Sequence, residues 1–417
     1  MLMSGSKWLI KKPNSAQLAI AVYIIFTMLS SSTGATLTKV ARLFLVAVLL
    51  LSFIKHGLVI TRKIRFYIVW VIAFWGYNFL NYFNAYNSSY VSAQLITLLY
   101  IIICDVMILL YLSTHTEDVF FLLKCVIWGA TLKAIYVFSL NGLLVFMNSR
   151  SSDQTSANTL GFVCAFAIVF CLYFYKKEKK YWYIFLGVLN CIFLILSASR
   201  KAFLFLLIPI AVVLILRAKN PLVIIRNIVF IVIAALFAYF LLIKVDFLYT
   251  LVGNRIQTMI NGFLGTGEVD ASTETRLILI EEGISFFKEK PFFGYGLANF
   301  SAIFSQYHSY AFYAHNNYIE LLVDCGLVGI VIYYFLHLKL VVSAIRNKNE
   351  FSELSMMMFG CLCAIIVCDY GMVSYYEVFS QLMVMVSFLT IQMWPKFVES
   401  DEEEPLEETY TSRRQYY

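Results

Sequence analysis

The sequence predicts an all-α, polytopic membrane protein with about 12 transmembrane helices and one large helical extracytoplasmic loop, and three observations carry that expectation. First, 61% of the 417 residues are hydrophobic and only 14% are charged, whereas a soluble domain is about 25% charged and about 45–50% apolar. The mean hydropathy is +0.78. Second, the apolar residues come in continuous runs of bilayer-crossing length. Continuous runs select helices, because a membrane barrel would show alternation. Third, Lys and Arg fall in alternate connections, as orientation in a membrane requires.

In chain order, the runs lie near 15–32, 36–56, 65–83, 92–113, 118–146, 158–175, 181–198, 202–216, 224–243, 318–342, 353–370 and 377–394. The first sits in polar company without a small-residue cleavage site, so it is expected to stay as a span. Starting from a cytoplasmic N-terminus, the inner segments hold Lys7, Lys11, Lys12, Lys55, Arg62, Lys63 and Arg65, then Lys176, Lys177, Lys179 and Lys180. They continue with Arg217, Lys219, Arg226, Arg346 and Lys348. The outer loops SSSTGA, NAYNSSY and DYGMVSYYE contain no basic residue. The net charge of +7 is thus an orientation signal, and nucleic-acid binding explains it poorly.

The chain therefore divides into an N-terminal bundle of about nine spans (1–244), an extracytoplasmic loop with helical segments (245–316) and about three C-terminal spans (317–395). The acidic end, 396–417, reads as a disordered cytoplasmic tail. All nine cysteines fall in the apolar runs, so buried thiols explain them better than a disulfide framework or a metal site.

Roughly 70 residues separate the ninth and tenth runs, and connections that long are commonly functional. Within them, VDASTETRLILIEEGISFFKEKP has Asp270 or Ser272 as candidate N-cap and Pro291 just past its end, the punctuation of a helix. At 100° per residue, Leu277, Ile280, Ile284 and Phe287 form an apolar stripe. Arg276 lies at its edge, in line with Ile280, Gly283 and Phe287. An arginine on that side meets an anion, snorkels to water or pairs with a loop carboxylate, and periodicity leaves these alternatives open. Next, PFFGYGLANF sets Gly294 and Gly296 two apart. They form either a plain turn or a pair whose amides approach a phosphate. The Tyr- and Phe-rich stretch from Phe300 to Tyr313 suits a membrane interface or stacking on sugar rings.

HNNYIELLVDCGLVG then runs from His315 to Gly329. Asn316, Glu320 and Asp324 recur at i, i+4 and i+8, with Asn317 beside them, so a polar stripe enters an apolar helix. Ionisable groups there are functional candidates by default. Upstream, LSASRKAFL puts Arg200 and Lys201 at an outer hairpin against the inside bias, which is either interfacial snorkelling or a substrate contact. Arg200, Arg255, Arg276 and His315 thus gather on the outer face, a set that suits phosphate or pyrophosphate.

The ordered set Ser197–Arg200, Thr275–Arg276, Pro291–Gly296 and His315–Gly329 resembles the O-antigen ligase and Wzy-type polysaccharide polymerase superfamily. The specific part covers roughly residues 250–330, with Arg200 an outlying match, and Asn317 stands where many members have His. The resemblance implies polymerisation of polyprenyl-pyrophosphate-linked oligosaccharide repeats into a surface polysaccharide (O-antigen, capsule or exopolysaccharide) at the outer face of the cytoplasmic membrane. Ligase-type transfer of the glycan to a lipid or protein acceptor is the alternative within the same chemistry.

In that reading His315 is the base and Arg276 stabilises the leaving pyrophosphate. Glu320 orients or replaces His315, and Arg200 and Arg255 bind phosphate. Gly294, Gly296, Asn316 and Asn317 are further candidates for contact with pyrophosphate or glycan. Neither a cofactor nor a metal is expected. The expected partners are the lipid-linked donor, the acceptor glycan, membrane lipid and, for a polymerase, a chain-length regulator, with no nucleic acid. A transporter or flippase of this size would show two related halves and a midplane site, and the sequence shows no such repeat. A scaffold would have no use for arginines opposite a histidine.

Overall fold

The computed structural model describes residues 13–30, 35–141, 151–152, 155–218, 220–246, 249–254, 256–258, 261 and 271–394. These are overwhelmingly helical. The N-terminal helices are α1 (Ser15–Leu29), α2 (Thr36–His56), α3 (Arg62–Asn81), α4 (Ser88–Thr114), α5 (Asp118–Asn141), α6 (Ala157–Glu178), α7 (Trp182–Leu196), α8 (Arg200–Leu216) and α9 (Pro221–Lys244). They are followed by α10 (Ala271–Glu289), α11 (Phe300–Tyr307), α12 (Asn317–Arg346), α13 (Glu353–Cys368) and α14 (Val378–Phe388). The one extended feature described is a two-residue antiparallel pairing of Ser151–Ser152 with Thr155–Ser156.

Among the described residues, six helices are long and apolar enough to cross a membrane: Thr36–His56, Ser88–Thr114, Asp118–Ser139, Ala157–Glu178, Pro221–Lys244 and Asn317–Arg346. Ser15–Leu29, Trp182–Leu196, Glu353–Cys368 and Val378–Met393 are apolar but shorter. The protein is an all-α, multi-pass membrane protein.

Two helices mark the extremes of its environment. In α6 every residue from Leu160 to Cys171 is buried, as expected for a helix that is apolar all round and surrounded by neighbours. It packs against α5, α7 and α8, while α8 lies along α13. Helix α9 is equally apolar, yet none of its most hydropathic stretch is buried. Leu222, Phe230 and Leu236 are each more than 60% exposed, a surface that only lipid would cover favourably. None of the nine cysteines is paired.

The feature that positions the site is a break in α12. Gly326 takes φ 63° and ψ −169° inside the helix, which no run of α-helical hydrogen bonds can pass through. The carbonyls before it and the amides after it are left without helical partners. Residues 291–296 supply four of the missing bonds. Leu327 N donates to Pro291 O at 2.8 Å and Val328 N to Phe292 O at 3.2 Å. In the other direction, Tyr295 N donates to Val323 O at 2.9 Å and Gly296 N to Asp324 O at 2.8 Å. Tyr77 of α3 closes the last gap, donating its hydroxyl to Cys325 O at 2.5 Å, and Asn81 Nδ2 holds Phe293 O at 2.7 Å. The apolar run expected near 318–342 is therefore two half-helices spliced by the PFFGYG segment. The second half alone, from Leu327, is roughly 30 Å long.

Glycine is required where these backbones cross. A Cβ on Gly326 would stand 2.3 Å from Phe292 O, and one on Gly294 would stand 2.5 Å from Val323 O. Gly326→Ala should cost about 2 kcal/mol or more through the positive φ and the backbone clash. Gly76→Ala, in α3 with nothing within 4 Å of the added carbon, should be neutral or slightly stabilising. Thermal unfolding of the two detergent-purified variants checks this. Equal melting temperatures would show that the break does not depend on the crossing.

Candidate active site

Three chain segments converge on one region. The first is the turn between α7 and α8. Ala198 sits at φ 49°, a left-handed conformation uncommon for a residue with a side chain. The turn is tied down by Ser197 Oγ donating to Leu194 O at 2.6 Å and Ser199 Oγ donating to Asn158 Oδ1 at 2.9 Å. Helix α6 presses against it at Gly161, where an added Cβ would lie 2.7 Å from Ala202 Cβ. Arg200 and Lys201 are thereby fixed as the first two residues of α8, rather than lying in an open loop. Two cations at a helix N-terminus are unfavourable alone and become favourable around an anion. Lys201 extends along the connection between α13 and α14, with its Cε 2.7 Å from where a Cβ of Gly371 would be.

The second segment is α10. Its buried face is Leu279, Gly283 and Phe286, with Ile280 and Phe287 partly buried, whereas Leu277 and Ile284 are exposed. The stripe expected from periodicity is thus rotated toward Gly283. That glycine, not a large apolar residue, is the contact point with α12, since a Cβ there would stand 2.3 Å from Ile319 Cγ2. Of the two expected N-caps, Asp270 lies outside the described residues, and Ser272 falls within the helix, which begins at Ala271. Arg276 stands three and seven residues before Leu279 and Gly283, hence on the packed side. Its charge acts on both His315 and Tyr313.

The third segment is His315 itself, half-buried and also left-handed, at φ 54°. Backbone strain of this kind concentrates at functional sites and persists only where neighbours enforce it. Here they do so from both sides. Ala314 N donates to Glu320 Oε2 at 2.6 Å, and Asn316 Oδ1 accepts from Tyr318 N and Ile319 N at 3.0 and 3.2 Å, capping α12. The Tyr313 ring packs on the imidazole at 3.8 Å between centroids. Burial, then Lys201, then Arg276 lower the His315 pKa to about 4, so the ring is neutral near pH 7. Burial and the Glu320 carboxylate push the Tyr313 hydroxyl up to about 12, against the pull of Arg276.

Lys201 and Arg276 thus both act on His315 through their charges, with Arg200 adjacent to Lys201 in the chain. Other expected site residues are differently employed. The amides of Gly294 and Gly296 donate to Lys290 O at 3.1 Å and Asp324 O at 2.8 Å, so the pair splices α12 and has no amide left for a phosphate. Asn317 is fully buried and clamps the α13–α14 connection. Its Oδ1 accepts from Ser374 N at 2.9 Å and Tyr375 N at 3.1 Å, its Nδ2 donates to Tyr334 Oη at 2.9 Å, and its own amide donates to Asp369 O at 2.7 Å. Asn316 is a helix cap, and Glu320 acts on the backbone under His315 rather than on its ring. Asp324 accepts from Ala298 N at 2.8 Å, Phe300 N at 2.9 Å and Tyr375 Oη at 3.1 Å, an anchor for the start of α11. Arg255 lies outside the described residues.

Sequence reasoning gave Lys201 no role of its own, though it stands beside Arg200, and passed over Asp369. Asp369 opens the DYGMVSYYE loop, and its Oδ2 accepts from Tyr334 Oη at 2.7 Å. Chemically, two cations act on a neutral imidazole, a combination that suits an anionic group next to a proton-bearing nucleophile. Among the described residues, no group of three or more His, Cys, Asp or Glu side chains is placed to hold a metal ion.

Residues 185–334 match the model of the family described as O-antigen ligase. The resemblance to the O-antigen ligase and Wzy-type superfamily therefore holds over a stretch that includes Arg200, Lys201, Arg276 and His315. No curated protein matches the chain.

The electrostatics are open to direct titration. A histidine whose folded pKa is depressed leaves the unfolded chain to bind the proton first, so stability falls as pH drops from about 6.5 to about 4. Lys201→Met removes one of the two cations that lower this pKa, so the midpoint of His315 should rise from about 4 toward 6.5. NMR of ring-labelled histidine, assigned with a His315→Gln variant, reads the midpoint. An unchanged midpoint in Lys201→Met would mean that Lys201 has no part in setting it.

Proposed function

We propose that this chain, with its O-antigen-ligase-type segment at residues 185–334, is a membrane glycosyltransferase that polymerises polyprenyl-pyrophosphate-linked oligosaccharide repeats. The product would be a surface polysaccharide such as O-antigen, capsule or exopolysaccharide. The observation that carries the reading is the charge of Lys201 and Arg276 acting on a strained, neutral His315. In the proposed topology the chain has twelve spans in the cytoplasmic membrane, both termini are cytoplasmic and residues 245–316 face outward. The cations and His315 then lie on the side where lipid-linked repeats are consumed, and a chain-length regulator would be a natural partner there. Ligase-type transfer to a lipid or protein acceptor uses the same site and is the alternative within the same chemistry.

The chemistry follows from the residues. A hydroxyl of the acceptor sugar attacks the anomeric carbon of the donor, the bond from that carbon to the pyrophosphate oxygen breaks, and the pyrophosphate leaves on its polyprenyl carrier. Arg276, with Arg200 and Lys201, takes up the charge that grows on the departing oxygens, and guanidinium forks match that geometry. His315 Nδ1 or Nε2 accepts the hydroxyl proton. A base with a pKa of about 4 is weak alone, but an adjacent pyrophosphate favours the charged ring and raises its pKa. Donor binding therefore arms the base. Glu320 positions it by holding the Ala314 amide.

Arg276→Lys keeps the charge and loses the planar fork, so turnover should fall severely, and Arg276→Ala should cost about 3 kcal/mol or more in transition-state stabilisation. His315→Ala should lose roughly 10²–10⁴ in rate while still binding the lipid-linked donor. Product formed by equal amounts of reconstituted variants is the measurement, and normal product from both arginine and histidine variants would sink the enzyme reading. Because the chain's own cations neutralise the leaving group in this scheme, transfer should persist in EDTA. Complete loss that magnesium restores would replace the arginine account with a metal-assisted one.

A further inference from the structure

The aromatic side chains between α11 and α12 form a continuous ladder that ends on His315. Phe304 of α11 stacks on His308 at 4.1 Å with 16° between planes. Phe304 and His308 both contact Tyr310, at 5.7 and 5.9 Å. Tyr310 meets Phe312 edge-on at 5.2 Å, Phe312 reaches His315 at 6.1 Å, and Tyr313 covers the imidazole at 3.8 Å. The inner end is anchored, because Phe304 is buried in the cluster beneath α10 and α11 and His308 Nε2 faces Glu282 Oε1 at 3.7 Å. The outer members are not covered: Tyr310 is 46% and Phe312 41% exposed.

This arrangement is unlike ordinary core packing or an interfacial belt. A belt places Tyr and Trp at the ends of many separate spans. Here the rings lie close together in one short stretch and pack on one another, while Tyr310 and Phe312 stay exposed. Exposed rings that are pre-packed by their neighbours offer rigid, amphipathic contact area at little entropic cost. Pyranose rings present C–H groups on their faces and hydroxyls at their edges, so they lie flat on aromatic faces while the hydroxyls stay in water. The cations reach His315 from α8 and α10, and the ladder reaches it from α11. The two partners of the proposed transfer thus have separate approaches to the imidazole.

We infer that Tyr310 and Phe312, continued by Tyr313, are the platform on which the acceptor glycan lies, delivering its nucleophilic hydroxyl to His315. The inference rests on the glycosyl-transfer reading above and adds the acceptor side of the same site. Donor and acceptor are separable in experiment, because the lipid-linked donor can also lose its pyrophosphate to water.

The test uses the full chain reconstituted in liposomes with its lipid-linked repeat unit as donor. The acceptor is the repeat oligosaccharide released from its carrier by mild acid. Tyr310→Leu combined with Phe312→Leu keeps apolar area but removes the flat faces, so KM for the acceptor should rise about 10-fold. The kcat should change little, and donor hydrolysis should stay at the wild-type rate. Tyr310→Trp with Phe312→Trp should keep a near-wild-type KM. A wild-type acceptor KM in the leucine variant would overturn the inference, as would a parallel fall in hydrolysis and transfer, which would mark the ladder as structural support. Absence of both transfer and hydrolysis in the wild-type chain would instead overturn the glycosyl-transfer reading itself.

Discussion

A backbone hydrogen-bond ledger that must close inside a membrane governs this structure. Breaking α12 at Gly326 releases carbonyls and amides where water cannot compensate, at several kcal/mol for each group left bare. The break persists because residues 291–296 and Tyr77 accept and donate in the required order. The His315 side of the candidate site inherits its placement from that splice. The half-helix from Asn317 to Cys325 carries Glu320 and Asp324, Glu320 holds the loop of His315, and Asp324 holds the start of α11. The connection that threads the break is itself the direct continuation of α10, which carries Arg276.

A second layer of constraint ties this half-helix to the C-terminal helices. Asn317 receives two amides from the α13–α14 connection and gives its own to Asp369. Lys201 lies along the same connection at Gly371. The cationic side and the imidazole side are thus registered through one short loop, although the residues that meet come from positions far apart in the chain. Strain is the local cost. Ala198 and His315 are both held left-handed without glycine, and both adjoin the groups proposed to act on substrate.

How far the sequence disclosed this depended on the range of the interaction concerned. Membrane class and helix positions were legible, because hydropathy and length are local properties. The side of α10 that carries Arg276 was also legible, but the stripe was misplaced. Periodicity weights large apolar residues, and the closest contact is made by Gly283, which has no side chain to count. The break at Gly326 went unread, since a single glycine inside a helical pattern does not by itself end it. Gly294 and Gly296 suggested phosphate because a G-x-G pair shows that the backbone is approached, and it says nothing of what approaches. Lys201 and Asp369 acquire significance only when α8 and the α13–α14 connection meet α12, a long-range fact that no window of sequence contains.

The splice also has a bearing on biosynthesis. Tyr77 and Asn81, then residues 291–296, are all made before Gly326 leaves the ribosome. Chains emerge N-terminus first, so the residues that meet the backbone groups of the break are made before the break itself. Its bare backbone groups therefore need never dwell in hydrocarbon awaiting a later segment. The same chemistry with α12 placed ahead of its partners would strand those groups for the time needed to synthesise more than two hundred residues. The order of segments along the gene is, on this view, part of what makes a broken helix tolerable.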